Sequence, residues 1–414
     1  MDQGDCAVEA IHVGTELLTF RTNTHTVYLA QMLAPLGLKV ARAVLVADGE
    51  EEIAGAINLA LSRSHLVIVT GGLGPTFDDL SREACGRALG RGLSFNSDLM
   101  EKIKGRFKQV GISMPQSNKR QAMILDKALV IENEAGTAPG QLIDLGEKMV
   151  LLLPGPPKEL ENTLSKVLSK IKNKFCRQTL LVKSFQIVGH TESRVEEMAG
   201  PILTGLAGKD VEPTILASSY VIDLIFRAAG DRAAAALDQI GRDIGKIFGP
   251  DVLGQDGETL ENKVGQILKS KNLTLAVAES CTGGLIADKI TNIAGSTAYF
   301  LQSVVAYANE AKTEILGVSP EILKKHGAVS AEAAREMAQG MAKRSGADYA
   351  ISVTGICGPL GGTPEKPLGL AYFGLARKNG QVKTEKRIFS GDRLRMKEKM
   401  AYFALDFLRR DLNK

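Results

Sequence analysis

Two nucleophile candidates stand side by side in "AVAESCTGG", residues 276–284: the hydroxyl of Ser280 and the thiol of Cys281. Ser280 falls where the apolar run "LTLAVAE" gives way to a helical pattern, "CTGGLIADKITNIAG", whose Leu285, Ile286, Ile290 and Ile293 share one face. A serine at such a junction can cap the helix through its hydroxyl. The same position suits a nucleophile, because the N–H groups of the first turn and the helix dipole can stabilise an oxyanion. Gly283 and Gly284 would let a substrate approach the backbone closely. A serine nucleophile needs a base. The only histidine in the C-terminal third is His326, at a predicted helix C-terminus where histidine commonly caps. The alternative is Lys312 in "VVAYANEAKTEIL". With Asn309 as N-cap it takes the third helical position, where the positive end of the dipole disfavours the ammonium form. A solvated surface lysine is the plainer reading of the same residue.

Two further stretches have chemistry to offer in this region. "SVTGICGPLGGTPEKPLG", 352–369, runs from a predicted strand into a loop with Gly355, Gly358, Gly361 and Gly362, a backbone suited to wrapping a phosphate or ribose, with Thr354 placed to donate to a substrate. "FSGDRLRMKEKM" presents Arg393 and Arg395 at a predicted helix start, where either could hold a phosphate or simply be solvated. Far upstream, "HLVIVTGGLGPTFDDLSRE" ends a strand at Thr70, turns through Gly71, Gly72, Leu73, Gly74 and Pro75, and places Asp78 and Asp79 at a predicted helix start. Paired carboxylates there can cap the helix and complement its dipole. A glycine turn at the carboxyl end of a parallel strand is also where open α/β sheets bind ligands, with amides on phosphate and an aspartate on a hard divalent cation.

Positioning these groups requires three units. Up to about residue 168, short β-branched runs alternate with helical patterns ("AVEAIHVG", "NTHTVYLAQMLAPLG", "KVARAVLVAD", "GEEEIAGAINLALSRS", "HLVIVTGG"), which implies a parallel sheet covered on both faces. Residues 169–250 suggest a small α+β unit of a few strands and two helices, connecting or dimer-forming. A turn-rich crossing from Pro250 to Glu258 leads to a third α/β unit, 258–414, whose first helix Thr259 can cap. Composition sets limits. The chain has 414 residues, 44% of them hydrophobic, and its net charge of +4 is spread without a long basic run, which argues against direct nucleic-acid contact. Cys6, Cys85, Cys176, Cys281 and Cys357 are scattered, so neither a disulfide framework nor a thiolate zinc site is predicted. No apolar segment reaches membrane-spanning length, and a soluble cytoplasmic protein is expected.

The C-terminal motifs "AESCTGG", "VVAYANEAK", "GVSPEILKKHGAVS", "VTGICGPLGGTPEKPLG" and "GDR", in that order from about Leu260 to Leu412, closely resemble the CinA C-terminal family of nicotinamide-nucleotide amidases. That resemblance implies Ser280 as nucleophile and Lys312 as its partner, with no cofactor. It further implies Glu279, Thr282, Gly283, Tyr307, Thr354, Gly355, Gly358, Gly361, Gly362, Arg393 and Arg395 around the substrate. The substrate would be nicotinamide mononucleotide. Cys281 becomes a small packing residue. The loop departs from the family's pattern at Cys357, where alanine is usual, and at Leu360, where glycine or aspartate is usual.

"GTELL", "NTHTVYLAQ", "TGGLGPTFDD", "NKRQAMIL", "ENEAGTAPGQ" and "LLLPGPPKEL" resemble the CinA N-terminal domain, related in fold to molybdopterin-binding proteins. The implied fold is a three-layer α/β molybdopterin-binding-like domain, followed by the small α+β unit and the α/β amidase domain. The implied activity is a metal-dependent ADP-ribose pyrophosphatase using Mg, Mn or Co. Asp78 and Asp79 are then the metal candidates, and Glu16, Asn23, Gly71, Gly72, Gly74, Thr76 and Thr137 surround the nucleotide. Here "TFRT" makes a connection one residue shorter than usual, without its glycine, and His25 replaces a common asparagine. The resemblance also implies a homodimer. Rival expectations are a non-enzymatic partner in DNA uptake or recombination, and an N-terminal domain that binds a pterin or nucleotide without hydrolysis.

Overall fold

The computed structural model describes residues 6–175, 180–206 and 210–414, so Cys176 lies outside the described residues. Its elements group into two compact units, one reaching Leu181 and including Ala229–Asp231, the other holding the remainder to Lys414.

The first unit runs β1 (Ala7–Val13), α1 (Thr15–Thr19), α2 (His25–Leu33), β2 (Lys39–Val46), α3 (Glu50–Arg63), β3 (Leu66–Thr70), α4 (Ser81–Leu89), β4 (Leu93–Phe95), α5 (Ser97–Gln109), β5 (Met123–Leu125), β6 (Leu129–Ile131), β7 (Gly140–Leu145), β8 (Lys148–Leu153), α6 (Pro157–Ser165) and α7 (Leu168–Phe175). The main sheet has the order β2-β1-β3-β8-β7-β6. Its first four strands are parallel, as the alternating pattern predicts, and β7 and β6 add an antiparallel edge. The central strand "LVIVT" is buried at every position, as a strand covered on both faces must be. Ile53, Ile57, Ala84 and Cys85 of α3 and α4 pack on one face, while Leu29, Leu33, Leu160, Leu164 and Ile171 of α2, α6 and α7 pack on the other. The result is three layers.

The second unit opens within β9 (Leu180–Val188) and continues through α8 (Glu192–Thr204), β10 (Val211–Ala217), β11 (Val221–Ala229, its last residue counted with the first unit), α9 (Ala233–Phe248) and β12 (Val252–Gln255), in a sheet ordered β10-β11-β9-β12. The crossing that reads as turns thus carries a fourth strand, pairing antiparallel with β9. Then follow α10 (Leu260–Ser270), β13 (Leu275–Glu279), α11 (Leu285–Thr291), β14 (Phe300–Val305), α12 (Asn309–Leu316), α13 (Pro320–His326), α14 (Ala331–Ser345), β15 (Tyr349–Gly355), β16 (Leu370–Arg377), β17 (Val382–Ile388) and α15 (Arg393–Leu412). Thr259 caps α10, accepting from the Asn262 amide at 3.2 Å. The sheet order is β14-β13-β15-β16-β17, parallel across the first three strands and antiparallel beyond. Helices α10, α11 and α15 cover one face and α12 and α14 the other, so the carboxyl ends of β13 and β15 emerge side by side.

Candidate active site

Helix α11 begins at Leu285, four residues later than the sequence pattern predicts, and Ser280 does not cap it. That task falls to Glu279, fully buried, whose carboxylate accepts from the amides of Gly284 at 3.0 Å, Ile286 at 3.1 Å and Ala287 at 2.9 Å. Two expectations change together. Glu279 is committed to the helix terminus rather than facing substrate, and the first-turn amides it occupies are not available to an oxyanion. The intervening turn needs left-handed backbone at Gly283 (φ 62°) and Gly284 (φ 96°), where a side chain would be strained. Ser280 is held at the end of β13 by its amide donating to the Val353 carbonyl at 3.1 Å. Its hydroxyl is left free for another partner.

That partner is Lys312. Helix α12 starts at Asn309 with Ala308 as N-cap, so Lys312 takes the fourth helical position rather than the third. The side chain is only 1% exposed, and Nζ lies 3.2 Å from Ser280 Oγ, 2.9 Å from the Ala306 carbonyl and 2.9 Å from the Tyr307 carbonyl. Burial pushes the Lys312 pKa down from the usual lysine range. A neutral amine has two N–H groups and one lone pair. In that form the two carbonyls would take both N–H groups and leave the lone pair for the Ser280 hydroxyl, whereas an ammonium would donate to all three oxygens. His326, the competing base, ends α13 with its ring 3.6 Å from Glu332 and takes no part in this cluster.

The surrounding groups divide by what they touch. Thr282 is fully buried, and its hydroxyl has no hydrogen-bond partner among the described residues. Thr354, expected to donate to substrate, instead donates to the Ala328 carbonyl at 2.8 Å, which leaves it only acceptor capacity. Gly355 permits close strand packing, since a Cβ would meet the Leu370 carbonyl at 2.8 Å. Gly362 likewise would crowd Leu368, while Gly358 (φ 64°) and Gly361 (φ 93°) hold left-handed turns of the loop. Arg393 links this loop to the nucleophile's neighbourhood: it donates to the Gly358 carbonyl at 2.6 Å and to the Tyr307 hydroxyl at 3.3 Å. Arg395 points elsewhere, 3.7 Å from Asp392 and 74% exposed.

Lys397 escaped the sequence reading. It stands one turn after Arg393 on α15, and its ammonium lies 3.5 Å from where a Cβ on Gly283 would be. The i,i+4 spacing of Arg393 and Lys397 was the available signal, because it puts both cations on one helix face.

At the carboxyl end of the N-terminal sheet, the glycine turn is tied down from within. Ser81 Oγ donates to the Gly71 carbonyl at 2.8 Å, and the buried Arg82 donates to the carbonyls of Leu73 at 2.7 Å and Gly74 at 3.0 Å. Neither was singled out from sequence, although both fall within three residues of the acidic pair. A Cβ on Gly71 would run into the Val13 carbonyl, and one on Gly72 into Ser81 Oγ. With the carbonyls so occupied, the amides of Gly72 and Gly74 have no acceptor among the described residues. Asp78 and Asp79 precede α4 rather than opening it. Asp79 closes a local turn, accepting from the Thr76 amide at 2.8 Å and the Thr76 hydroxyl at 2.5 Å. Asp78 differs, for its Oδ1 is buried without a partner among the described residues. That oxygen fits a divalent cation which completes its shell with phosphate oxygens and water. Among the described residues no three His, Cys, Asp or Glu side chains gather, so Glu16, Asp78 and Asp79 do not form one acidic cluster.

Asn23 is engaged in its own turn, accepting from the His25 amide at 2.9 Å and donating to Thr26 at 3.0 Å. Thr137 sits half-buried in a loop that Asn133 organises through the amides of Ala135 and Gly136. Beneath the loops, the His12 ring joins Thr70 and Thr26, each at 2.8 Å, and His25 reaches Thr70 at 3.1 Å. Burial pushes His12 down to about 4, so that ring is neutral near pH 7, and it pushes His25 below its usual range.

Fold and site together define a mixed α/β protein with a three-layer N-terminal domain, a small antiparallel middle sheet and a C-terminal domain presenting a buried serine–lysine pair. Residues 257–412 match the CinA C-terminal domain, and residues 9–173 match the family described as "Probable molybdopterin binding domain". The chain is 42% identical over 408 residues to a "Putative competence-damage inducible protein" of Caldicellulosiruptor saccharolyticus, covering 98% of each chain. It is 40% identical over 406 residues to a "CinA-like protein" of Kosmotoga olearia, again covering 98% of each. Among solved structures, the competence/damage inducible protein CihA of Agrobacterium tumefaciens is 40% identical, covering 37% of this chain and 94% of that one, with a TM-score of 0.36. The chain belongs to the CinA family. Among the described residues no helix is long and apolar enough to cross a membrane.

Proposed function

We propose that the C-terminal domain is an amidase that converts nicotinamide mononucleotide to nicotinic acid mononucleotide and ammonia. The observation that carries this reading is the Lys312 amine, buried between two carbonyls with its third direction on Ser280 Oγ. Ser280 Oγ attacks the carboxamide carbon while Lys312 takes the hydroxyl proton, then returns it to the departing nitrogen, which leaves as ammonia. Water then attacks the Ser280 ester with Lys312 again accepting a proton, and the acid is released. The unpartnered Thr282 hydroxyl is available to the developing oxyanion. Arg393 and Lys397 offer positive charge for the phosphate, Arg393 as the fork and Lys397 as the point charge. The choice of a pyridine nucleotide as substrate rests on resemblance to the nicotinamide-nucleotide amidases.

For the N-terminal domain the reading is hydrolysis of ADP-ribose to AMP and ribose 5-phosphate. The amides of Gly72 and Gly74 would receive phosphate oxygens, and Asp78 would hold a divalent Mg, Mn or Co ion. Such an ion neutralises phosphate charge during attack by water. The two activities belong together in pyridine-nucleotide salvage, and the chain is read as a homodimer. Ammonia release from nicotinamide mononucleotide, compared with nicotinamide and nicotinamide riboside, tests the amidase. Release confined to the mononucleotide supports it, and no release from any of the three refutes it. AMP formation from ADP-ribose with each of the three metals tests the other half, which fails if no AMP forms.

A further inference from the structure

The nucleophile's neighbour is not alone. Cys281, on the turn after β13, and Cys357, on the loop after β15, are 6% and 5% exposed, and their thiols converge on one side chain. Both sulfurs lie 3.6 Å from the thioether sulfur of Met400, and Cys357 Sγ is 4.0 Å from the Cys281 carbonyl. Two cysteines from different segments thus meet directly beside Ser280 and directly before Gly358. We propose that Cys357 is a peroxide-reactive thiol and Cys281 its resolving partner, so that oxidation joins the nucleophile turn to the glycine loop by a disulfide and stops the reaction at Ser280. The inhibition rests on the amidase reading above; the cross-link does not.

The roles are assigned by surroundings. Interaction with the Cys281 thiol, with Arg393 and Lys397 close by, favours a thiolate at Cys357 and holds it below the ordinary thiol range, while interaction with Cys357 and burial hold Cys281 above it. The thiolate is the attacking species. Cys357 is itself buried, but the residues that follow it, 359–365, are exposed throughout, and a small peroxide would enter from that side.

Atoms and electrons balance in two steps. The Cys357 thiolate attacks one oxygen of hydrogen peroxide, the O–O bond breaks, and the departing hydroxide takes up a proton as water, leaving a sulfenic acid. Cys281 sulfur then attacks Cys357 sulfur, the S–O bond breaks, and the second water leaves carrying the Cys281 proton. Peroxide is reduced by two electrons and the pair of thiols is oxidised by two. A disulfide holds its two Cβ atoms at about 3.8 Å. That constraint draws the Ser280–Gly284 turn toward the loop whose Gly358 carbonyl anchors Arg393.

The test treats the reduced full chain with hydrogen peroxide, blocks remaining thiols under denaturing conditions and maps the peptides by mass. The expected result is a peptide pair joined through Cys281 and Cys357, released by dithiothreitol, with amidase activity lost and regained in parallel. Cys85, buried without a partner thiol among the described residues and pushed up to about 12, stays reduced as an internal control. Cys357→Ala and, should that variant misfold, Cys281→Ser must show neither the cross-link nor dithiothreitol-reversible inactivation. Cys357 driven to sulfinic acid with Cys281 still a thiol would overturn the proposal, and so would both thiols surviving peroxide unchanged. A cross-linked protein of undiminished activity would overturn the inhibitory half. A chain that releases no ammonia in any state refutes the amidase reading, while the mapped peptides still decide the cross-link.

Discussion

The two domains offer opposite kinds of site. In the C-terminal domain the groups proposed to react already touch: Ser280 and Lys312 are buried and in hydrogen-bond contact, with two backbone carbonyls on the amine. In the N-terminal domain most candidate side chains serve the loop itself. Asp79 and Asn23 close turns, while Ser81 and Arg82 hold the glycine carbonyls. What remains for a ligand is backbone N–H and one orphaned Asp78 oxygen. A proton-transfer site must be assembled before substrate arrives, because its power lies in the pKa and geometry of the pair. A phosphate site can stay sparse, since the ligand brings the charge and most of the metal's shell.

The largest expected effect breaks the contrast at its strong end. Replacing Lys312 by Arg, which stays protonated, removes the base while keeping the cation, and ammonia release should fall on the order of 10⁶-fold, as loss of a catalytic base does in serine hydrolases. In the wild type, kcat should rise with pH along a single limb centred below the ordinary lysine range, because Lys312 acts only when deprotonated and its pKa is lowered by burial. A limb at the ordinary lysine value would remove the argument from burial.

Next in size is the acid response of the N-terminal domain. His12 is fully buried with its pKa near 4 rather than 6.5, so the unfolded chain binds a proton that the folded one refuses between those values. Stability from this group is intact above pH 6.5 and falls as the pH drops to about 4, by roughly 3 kcal/mol at 1.36 kcal/mol per unit. Equilibrium unfolding of the wild type and His12→Gln across that range should differ in slope, and parallel curves would contradict the burial of a neutral ring.

Smaller still, Asp78→Asn should lower metal-dependent AMP formation by about 10–100-fold, a range typical of damage to a metal's surroundings. Asp79→Asn should act mainly through stability, by about 1 kcal/mol for the weakened turn. Equal kinetic losses would mean that both carboxylates face the metal. The smallest test separates the two arginines. Arg393→Ala should raise KM for nicotinamide mononucleotide, while Arg395→Ala should leave kcat and KM unchanged, and the reverse would relocate the phosphate.

Much of this was legible from residue order. The strands flanking both sites and the helix after Thr259 follow from periodicity and capping, while the pairing of Ser280 with Lys312 comes from the family resemblance, with the scarcity of histidine only pointing toward a lysine. Side-chain commitments were not. Glu279 was legible as a motif residue, but only the fold shows three amides converging on its carboxylate, because α11 starts four residues later than its hydrophobic face suggests. Thr354 looked free to donate until β15 brought it against Ala328. Arg82 and Lys397 carried no local peculiarity of spacing beyond an ordinary helical step, and their importance comes from chain segments distant in sequence. The antiparallel edge of β6 and β7 was hidden by short strands without a helix between them.

The central claim is that the hydroxyl, not its neighbouring thiol, attacks the substrate. Rapid acid quench of the enzyme turning over nicotinamide mononucleotide, followed by peptide mapping, reads the attacked atom directly. The account predicts the nicotinoyl nucleotide as an ester on Ser280, its loss in Ser280→Ala, and its persistence in Cys281→Ala. An acyl group on Cys281, or undiminished turnover by Ser280→Ala, would contradict it.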